Sequence, residues 1–282
     1  MPKIRDIIFR AAEILKQNRI AEPRREAASL LAFALGKDRT FLLTHDDYEL
    51  SGDEETRFQA LLERRAAREP FQYITGRQEF YGLDFTVAPG VLIPRPETEI
   101  IVENAIEILD GRENPRFCEV GVGSGCISVS ILFNVAAASA IGLDVSEKAL
   151  EVSRQNAETH KVSARLELKK SDVFAALNDQ TFDLIVSNPP YIPQSEIDGL
   201  QLEVRDFEPL DALTDGGDGL SIIEKIASAA PRHLKSGGFL LMEIGFGQAE
   251  AVKTLFAARL WRSVEILPDL QEIPRTVRAQ VI

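Results

Sequence analysis

At 282 residues the chain exceeds the roughly 100–200 residues of a typical domain, so one large or two unequal domains are expected. Hydrophobic content of 45% is ordinary for a globular protein, and no apolar run approaches the ~18 residues of a membrane helix, so no membrane partner is expected. The start, Met1-Pro2-Lys3-Ile4-Arg5-Asp6, carries an early acid and no apolar leader core, which makes a cytoplasmic location the expectation. The net charge of −12 is uneven: residues 1–92 hold 14 Lys+Arg and 15 Asp+Glu, whereas the remainder holds 18 and 29. An acidic second part repels phosphate backbones, which speaks against direct nucleic-acid binding.

The first ~75 residues read as helix. Ile4, Ile7, Ile8, Ala11 and Leu15 recur at helical spacing. Pro23 suits a first helical position, and Gly36 suits the end of the helix carrying Leu30, Leu31 and Leu35. Ser51 with Glu54 predicts a capping box for a helix reaching about Arg68, which Pro70 closes. Residues Arg77 to Val87 alternate around Gly82 and predict a β-hairpin bridging two domains. The stiff segment Leu92-Ile93-Pro94-Arg95-Pro96-Glu97-Thr98-Glu99 then leads into a helix from about Thr98 to Leu109. From Arg116 onward strands are expected at Arg116–Val120, Ser139–Leu143, Leu166–Lys170, Phe182–Ser187, Phe239–Ile244, Ser263–Leu267 and Thr276–Val281, with helices at Glu147–Thr159 and Leu220–Ala230. That alternation predicts an α/β fold with a doubly wound, mostly parallel sheet.

Cys118 and Cys126 flank a glycine-rich turn without metal-ligand spacing and read as small core residues, so no metal site is expected. His45, His160 and His233 are scattered and are expected at the surface.

The richest local pattern is Asn188-Pro189-Pro190-Tyr191, directly after the apolar run Phe182 to Ser187. Neither proline has a backbone N–H and both have fixed φ, so the carbonyls of this corner are free to face a cleft. The Asn188 amide oxygen beside a free carbonyl offers two acceptors for one NH2 group, with Tyr191 as an apolar wall. Upstream, the first strand of the sheet ends in Glu119-Val120-Gly121-Val122-Gly123-Ser124-Gly125. Such glycines let the backbone turn tightly and approach a ligand at a helix N-terminus. A dinucleotide fingerprint puts its third glycine one residue later, where Cys126 stands, and no lysine follows to make a P-loop. Asp144 ends the second strand, where acids bind ribose hydroxyls. Asp172 follows the third strand, either accepting from an adenine amino group with Val173 against the ring, or capping a helix. In this order the four elements are those of an S-adenosylmethionine methyltransferase. Cofactor contacts are therefore expected at Glu119, Gly121, Val122, Gly123, Ser124, Gly125, Asp144, Asp172, Val173 and Asn188, and catalytic ones at Asn188, Pro189, Pro190 and Tyr191.

The chain resembles the HemK/PrmC family of protein-glutamine methyltransferases, which modify the Gly-Gly-Gln loop of peptide-chain release factors. The resemblance runs from about Pro70 to Gln248. It rests on Phe71-Gln72-Tyr73-Ile74-Thr75-Gly76, Val91 to Glu99, Gly121 to Cys126, Ser187 to Ile192, Glu208-Pro209-Leu210, Asp218-Gly219-Leu220 and Glu243-Ile244-Gly245. It implies a class I methyltransferase fold, a Rossmann-like seven-stranded sheet with an antiparallel last strand, plus an N-terminal helical bundle and a β-hairpin linker. The implied division is a helical substrate-docking domain at 1–75, the hairpin linker at 76–93 and the methyltransferase domain at 94–282. The implied partner is a release factor, with the enzyme a monomer. A glutamine of a ribosomal protein and the N6 amine of adenine in nucleic acid are the alternative targets of the same clamp. Arg95 and Glu97 are read either over the methionine end of the cofactor or as an inter-domain salt bridge. Glu119 departs from the aspartate usual in the family, and the tail Asp269 to Arg275 departs from its usual last turn.

Overall fold

The computed structural model describes residues 2–282, in two compact units. The first comprises the chain up to Gly76 together with Gln201–Phe207, and the second comprises Arg77–Leu200 and Glu208–Ile282.

The first unit is helical: α1 (Ile4–Gln17), α2 (Pro23–Leu35), α3 (Arg39–Thr44), α4 (Gly52–Ala66) and α5 (Phe71–Thr75). The apolar stripe of α1 buries Ile4, Ile7, Ala11 and Leu15 against Leu30 and Leu31 of α2 and Phe58 and Leu62 of α4. Pro23 opens α2 and Gly36 closes it in the left-handed region. The capping box is present: the Glu54 amide donates to Ser51 Oγ (3.3 Å) and the Ser51 amide donates to Glu54 (2.8 Å).

The second unit opens with the hairpin β1 (Arg77–Phe80) and β2 (Leu83–Thr86). Rather than standing alone as a linker, the hairpin inserts Phe80 and Phe85 into the core of this unit. A 3-10 turn at Pro96–Thr98 leads into α6 (Glu99–Leu109), so the α-helix begins one residue later than expected. There follow β3 (Arg116–Val120), α7 (Cys126–Asn134), β4 (Ser139–Asp144), α8 (Glu147–Thr159), β5 (Leu166–Lys170) and β6 (Phe182–Ser187). Next come the short helices α9 (Leu202–Phe207), which belongs to the first unit, and α10 (Leu210–Leu213). The chain ends with α11 (Ser221–Ala229), β7 (Leu234–Glu243), α12 (Ala249–Thr254), β8 (Trp261–Pro268) and β9 (Pro274–Val281).

The seven-stranded sheet runs β5-β4-β3-β6-β7-β9-β8, parallel from β5 to β7, with β9 antiparallel to both of its neighbours. Successive side chains face opposite sides: Phe117 and Leu184 enter the layer under α6 and α7, while Cys118 and Ile185 enter the layer under α11 and α12. Both cysteines are buried thiols, as expected of core residues. All three histidines have partners: His45 Nδ1 lies 3.2 Å from the Phe41 carbonyl, His160 Nε2 2.8 Å from that of Asp84, and His233 Nδ1 3.1 Å from that of Gln180. The strand reversal in order occurs between β4-β3 and β6, so the ends of β3 and β6 open a crevice at the switch point of the sheet.

Candidate active site

The glycine loop leaves the end of β3 at this crevice. The Gly121 and Val122 amides donate to the Leu143 carbonyl (2.8 and 2.9 Å), which folds the loop over β4. Gly125 has φ +81°, and a Cβ there would lie 2.5 Å from Ser153 Oγ. Glycine is therefore what lets the loop and α8 approach, since a side chain meets both backbone strain and a filled space. Asn156 of α8, fully buried, ties three segments together: its Oδ1 accepts from the Thr86 amide (2.8 Å), and its Nδ2 donates to the Thr86 (2.9 Å) and Ser124 (2.8 Å) carbonyls.

Asp144 at the end of β4 accepts from the Gly123 and Ser146 amides (both 2.9 Å), one on each oxygen, which aims its carboxyl at the loop. Burial raises its pKa against the lowering effect of those amides. Glu119 is only 1% exposed; its Oε2 accepts from the Ser128 amide (2.9 Å) and from the Ser128 hydroxyl at very short range, at the start of α7. Its other oxygen makes no hydrogen bond among the described residues. Burial pushes this carboxyl up to about 8 against the two Ser128 bonds, with the Asp144 charge adding to the rise. Asp172 is exposed, with Lys225 4.0 Å away, and does not cap. No helix forms between β5 and β6; Ser171 Oγ accepts from the Ala176 amide (3.0 Å) within the turn there.

A single cavity brings together Glu119, Gly121, Val122, Gly123, Ser124, Asp144, Asp172, Val173, Asn188 and Pro190 of the residues anticipated from sequence. Gly125, Pro189 and Tyr191 are not on its wall. Gly125 sits behind the loop against α8, and Tyr191 turns toward β7. Val91, Leu92 and Ile222 add apolar surface. Arg95 also lines the cavity and pairs at very short range with the buried Glu208, whose second oxygen accepts from the Ile93 amide (3.3 Å). Both partners lie in the second unit, so this is no inter-domain bridge, while Glu97 is exposed and away from the cavity wall.

The corner after β6 is braced from several sides. Ser187 Oγ donates to the Val120 carbonyl (2.7 Å), locking the ends of β6 and β3 together. The Tyr191 hydroxyl donates to Glu243 Oε1 (3.0 Å), and the Tyr191 carbonyl accepts from Gln248 Nε2 (2.8 Å). Burial and the Glu243 carboxylate raise the Tyr191 pKa, so its hydroxyl stays a donor. Asn188 Nδ2 donates to Thr98 Oγ1 (3.1 Å), and Thr98 Oγ1 donates to Glu243 Oε2 (2.6 Å). Thr98, Glu208 and Glu243 stand in segments on which the resemblance rests, but the sequence assigns no role to them or to Gln248. Thr98 and Glu243 meet across 145 residues, a distance that leaves no periodic trace in the chain.

Two family descriptions match the chain: PrmC N-terminal domain over residues 6–76 and methyltransferase small domain over residues 98–203. The chain is 44% identical over 281 residues to the release factor glutamine methyltransferase of Geobacter sulfurreducens, covering 99% of this chain and 96% of that one. It is 42% identical over 256 residues to the release factor glutamine methyltransferase of Koribacter versatilis, covering 90% of each. Among solved structures, a methyltransferase from Pyrococcus furiosus shares the fold at a TM-score of 0.53 and 19% identity, covering 79% of this chain and 96% of that one. With identity above 40% sustained over nearly the whole length of both chains, the protein belongs to the release factor glutamine methyltransferase family.

Proposed function

We propose that the chain transfers a methyl group to the side-chain amide nitrogen of the glutamine in a release factor's Gly-Gly-Gln loop. The observation that carries this reading is the Asn188 side chain. Its Nδ2 donates to Thr98, and its Oδ1 has no partner among the described residues, so the oxygen is left for a donor entering the cavity that Asn188 lines. A primary amide nitrogen is a poor nucleophile, because its lone pair is delocalised into the carbonyl. Asn188 Oδ1 accepts one of its hydrogens, orients the nitrogen and favours the positive charge that develops on it. No strong base is required, since a methylated, protonated amide loses its proton readily to water.

The residues fit S-adenosylmethionine, which when bound supplies a methyl group on an electrophilic sulfonium. A Cβ at Gly123 would meet nothing nearer than the Gly121 carbonyl at 4.0 Å, so the loop presents open backbone to a ligand. Asp144 at the end of β4 suits ribose hydroxyls, Asp172 and Val173 suit the adenine, and the unpaired oxygen of buried Glu119 suits the cofactor's ammonium. The helical unit docks the protein substrate in this reading, and the enzyme acts as a cytoplasmic monomer without nucleic acid.

The test is methyl transfer from labelled cofactor to a release factor, a ribosomal protein and DNA in parallel. Only the release factor is expected to be labelled. Asn188→Ala is expected to lower the rate by a factor of ~10² or more while cofactor affinity changes by only a few fold, on the scale of losing one oriented transition-state contact. An active Asn188→Ala enzyme would rule out the amide clamp.

A further inference from the structure

We infer that Thr98 and Glu243 are positioning residues that set the polarity of Asn188, and that the ionised Glu243 carboxylate is what keeps the Asn188 oxygen facing the substrate. This inference rests on the reading of Asn188 as an acceptor for the glutamine amide.

The argument is a count of hydrogens. Glu243 is 2% exposed and receives two hydroxyls, Tyr191 on Oε1 (3.0 Å) and Thr98 on Oε2 (2.6 Å). A carboxylate has no hydrogen to give, so both hydroxyls must donate to it. Thr98 has one hydrogen and spends it on Glu243. Toward Asn188, at 3.1 Å, it offers only lone pairs. The group that faces Thr98 is therefore the Asn188 NH2, and the amide oxygen is turned the other way.

Protonation of Glu243 frees the chain to reverse. The neutral carboxyl donates to Thr98, and the Thr98 hydrogen is released toward Asn188. The amide rotates to present its oxygen to Thr98 and its NH2 to the cavity, where it opposes the NH2 of the substrate. A donor facing a donor loses the orienting contact and adds repulsion.

The charges around Glu243 come from several elements. Arg275 at the start of β9 favours the carboxylate, while Glu97 in the 3-10 turn before α6 disfavours it. The Tyr191 hydroxyl remains protonated, and the Cys126 thiol, pushed up to about 12 by burial, remains neutral. Burial raises the Glu243 pKa, with the Thr98 and Tyr191 bonds and Arg275 opposing, so the reversal is placed on the acid side of the activity profile.

The test compares kcat, KM for the release factor and cofactor affinity by calorimetry, from pH 5 to 9, for the wild type, Thr98→Ser, Thr98→Val, Glu243→Gln and Asn188→Ala. The wild type is expected to lose kcat on the acid side. Thr98→Ser, which keeps the relay, is expected within ~3-fold of wild type with the same acid limb. Thr98→Val and Glu243→Gln are expected to lower kcat at least ~30-fold, flatten the acid limb, and leave KM and cofactor affinity within ~3-fold. If Asn188→Ala is inactive while Thr98→Val and Glu243→Gln keep wild-type kcat, the inference is overturned and the clamp stands. It is equally overturned if Thr98→Ser is as impaired as Thr98→Val, or if the losses fall on cofactor affinity instead of kcat. An active Asn188→Ala overturns the clamp itself, and the inference with it. Should Glu243→Gln fail to fold, the Thr98 pair decides alone.

Discussion

Glu119, at 1% exposure and bonded among the described residues only to Ser128, resists ionisation, and its pKa near 8 follows from burial that outweighs the Ser128 bonds, with Asp144 adding to the rise. The sign of the consequence follows from linkage. The folded chain holds this proton more tightly than the unfolded chain does, so the group's contribution to stability is full below the ordinary value of 4.5 and is lost as pH rises through about 8. An ammonium placed against the free oxygen reverses the preference and favours the carboxylate. Cofactor binding near pH 7 is therefore expected to release close to one proton, falling to none near pH 9. Titration calorimetry in buffers of different ionisation heat measures this directly. Glu119→Gln is expected to abolish the proton release and weaken binding by roughly 10-fold at pH 9, the scale of one charge-assisted hydrogen bond. Unchanged proton release in Glu119→Gln would show that the ammonium lies elsewhere.

At the scale of elements, the corner after β6 depends on a glycine far along the chain. Gly219 has φ +80°, and a Cβ there would stand 2.1 Å from the Tyr191 carbonyl oxygen and 3.0 Å from Gln248 Nε2. The loop itself is held by Asp215, which accepts from the Gly217 (2.8 Å), Gly219 (3.0 Å) and Ser221 (2.9 Å) amides and from the Ser221 hydroxyl. Burial opposes ionisation of Asp215, but those bonds outweigh it and hold its pKa down at about 2. Because backbone blocks the Cβ, Gly219→Ala is expected to cost about 2–4 kcal/mol from φ strain and overpacking, and to lower kcat by shifting Tyr191. Thermal unfolding and kcat of the purified variant check both. Elements of this kind divide by legibility. The helix Glu147–Thr159 and the strands Arg116–Val120 and Leu166–Lys170 have the bounds expected from sequence, because each carries its own period and its own cap or turn. Strand β7 begins five residues before the expected Phe239, since Leu234-Lys235-Ser236-Gly237-Gly238 has no alternation to announce pairing with β6. The glycine loop, Asp144 and Asn188 were legible because each is a short motif at a strand end. The Thr98–Glu243 bond, the Arg95–Glu208 pair and the insertion of Phe80 and Phe85 into the core are choices of partner, and partners are fixed by packing across more than 100 residues or between layers.

At the scale of the whole molecule, the chain does not divide into successive pieces. After the corner at Asn188 it leaves the second unit at Leu200, gives α9 to the helical unit, and returns at Glu208. Within the helical unit α9 is held by charge. Arg65, 5% exposed in its side chain, donates to Glu26 through Nε (2.5 Å) and to Glu203 through Nη2 (3.0 Å), and Arg68 donates to the other oxygen of Glu203 (2.8 Å). Burial disfavours the Arg65 charge, but the two glutamates outweigh it and raise its pKa, so it stays charged. Removing the shared cation leaves two carboxylates facing each other in a poorly solvated place, and breaking a buried pair in this way costs about 3–5 kcal/mol. Arg65→Ala is therefore expected to destabilise the helical unit on that scale and to release α9 first, because α9 has six residues, buries none of them fully and cannot stand as an isolated helix. Hydrogen exchange resolves the order: amides of residues 202–207 should lose their protection in Arg65→Ala, while those of β3 and β6 exchange as in the wild type. A Glu203→Ala variant should release the same amides, and the double variant should add little beyond the larger single effect, because both substitutions break one network. If residues 202–207 keep their protection in Arg65→Ala, the ion pairs do not hold α9, and the packing of the half-buried Val204 and Phe207 must do so instead.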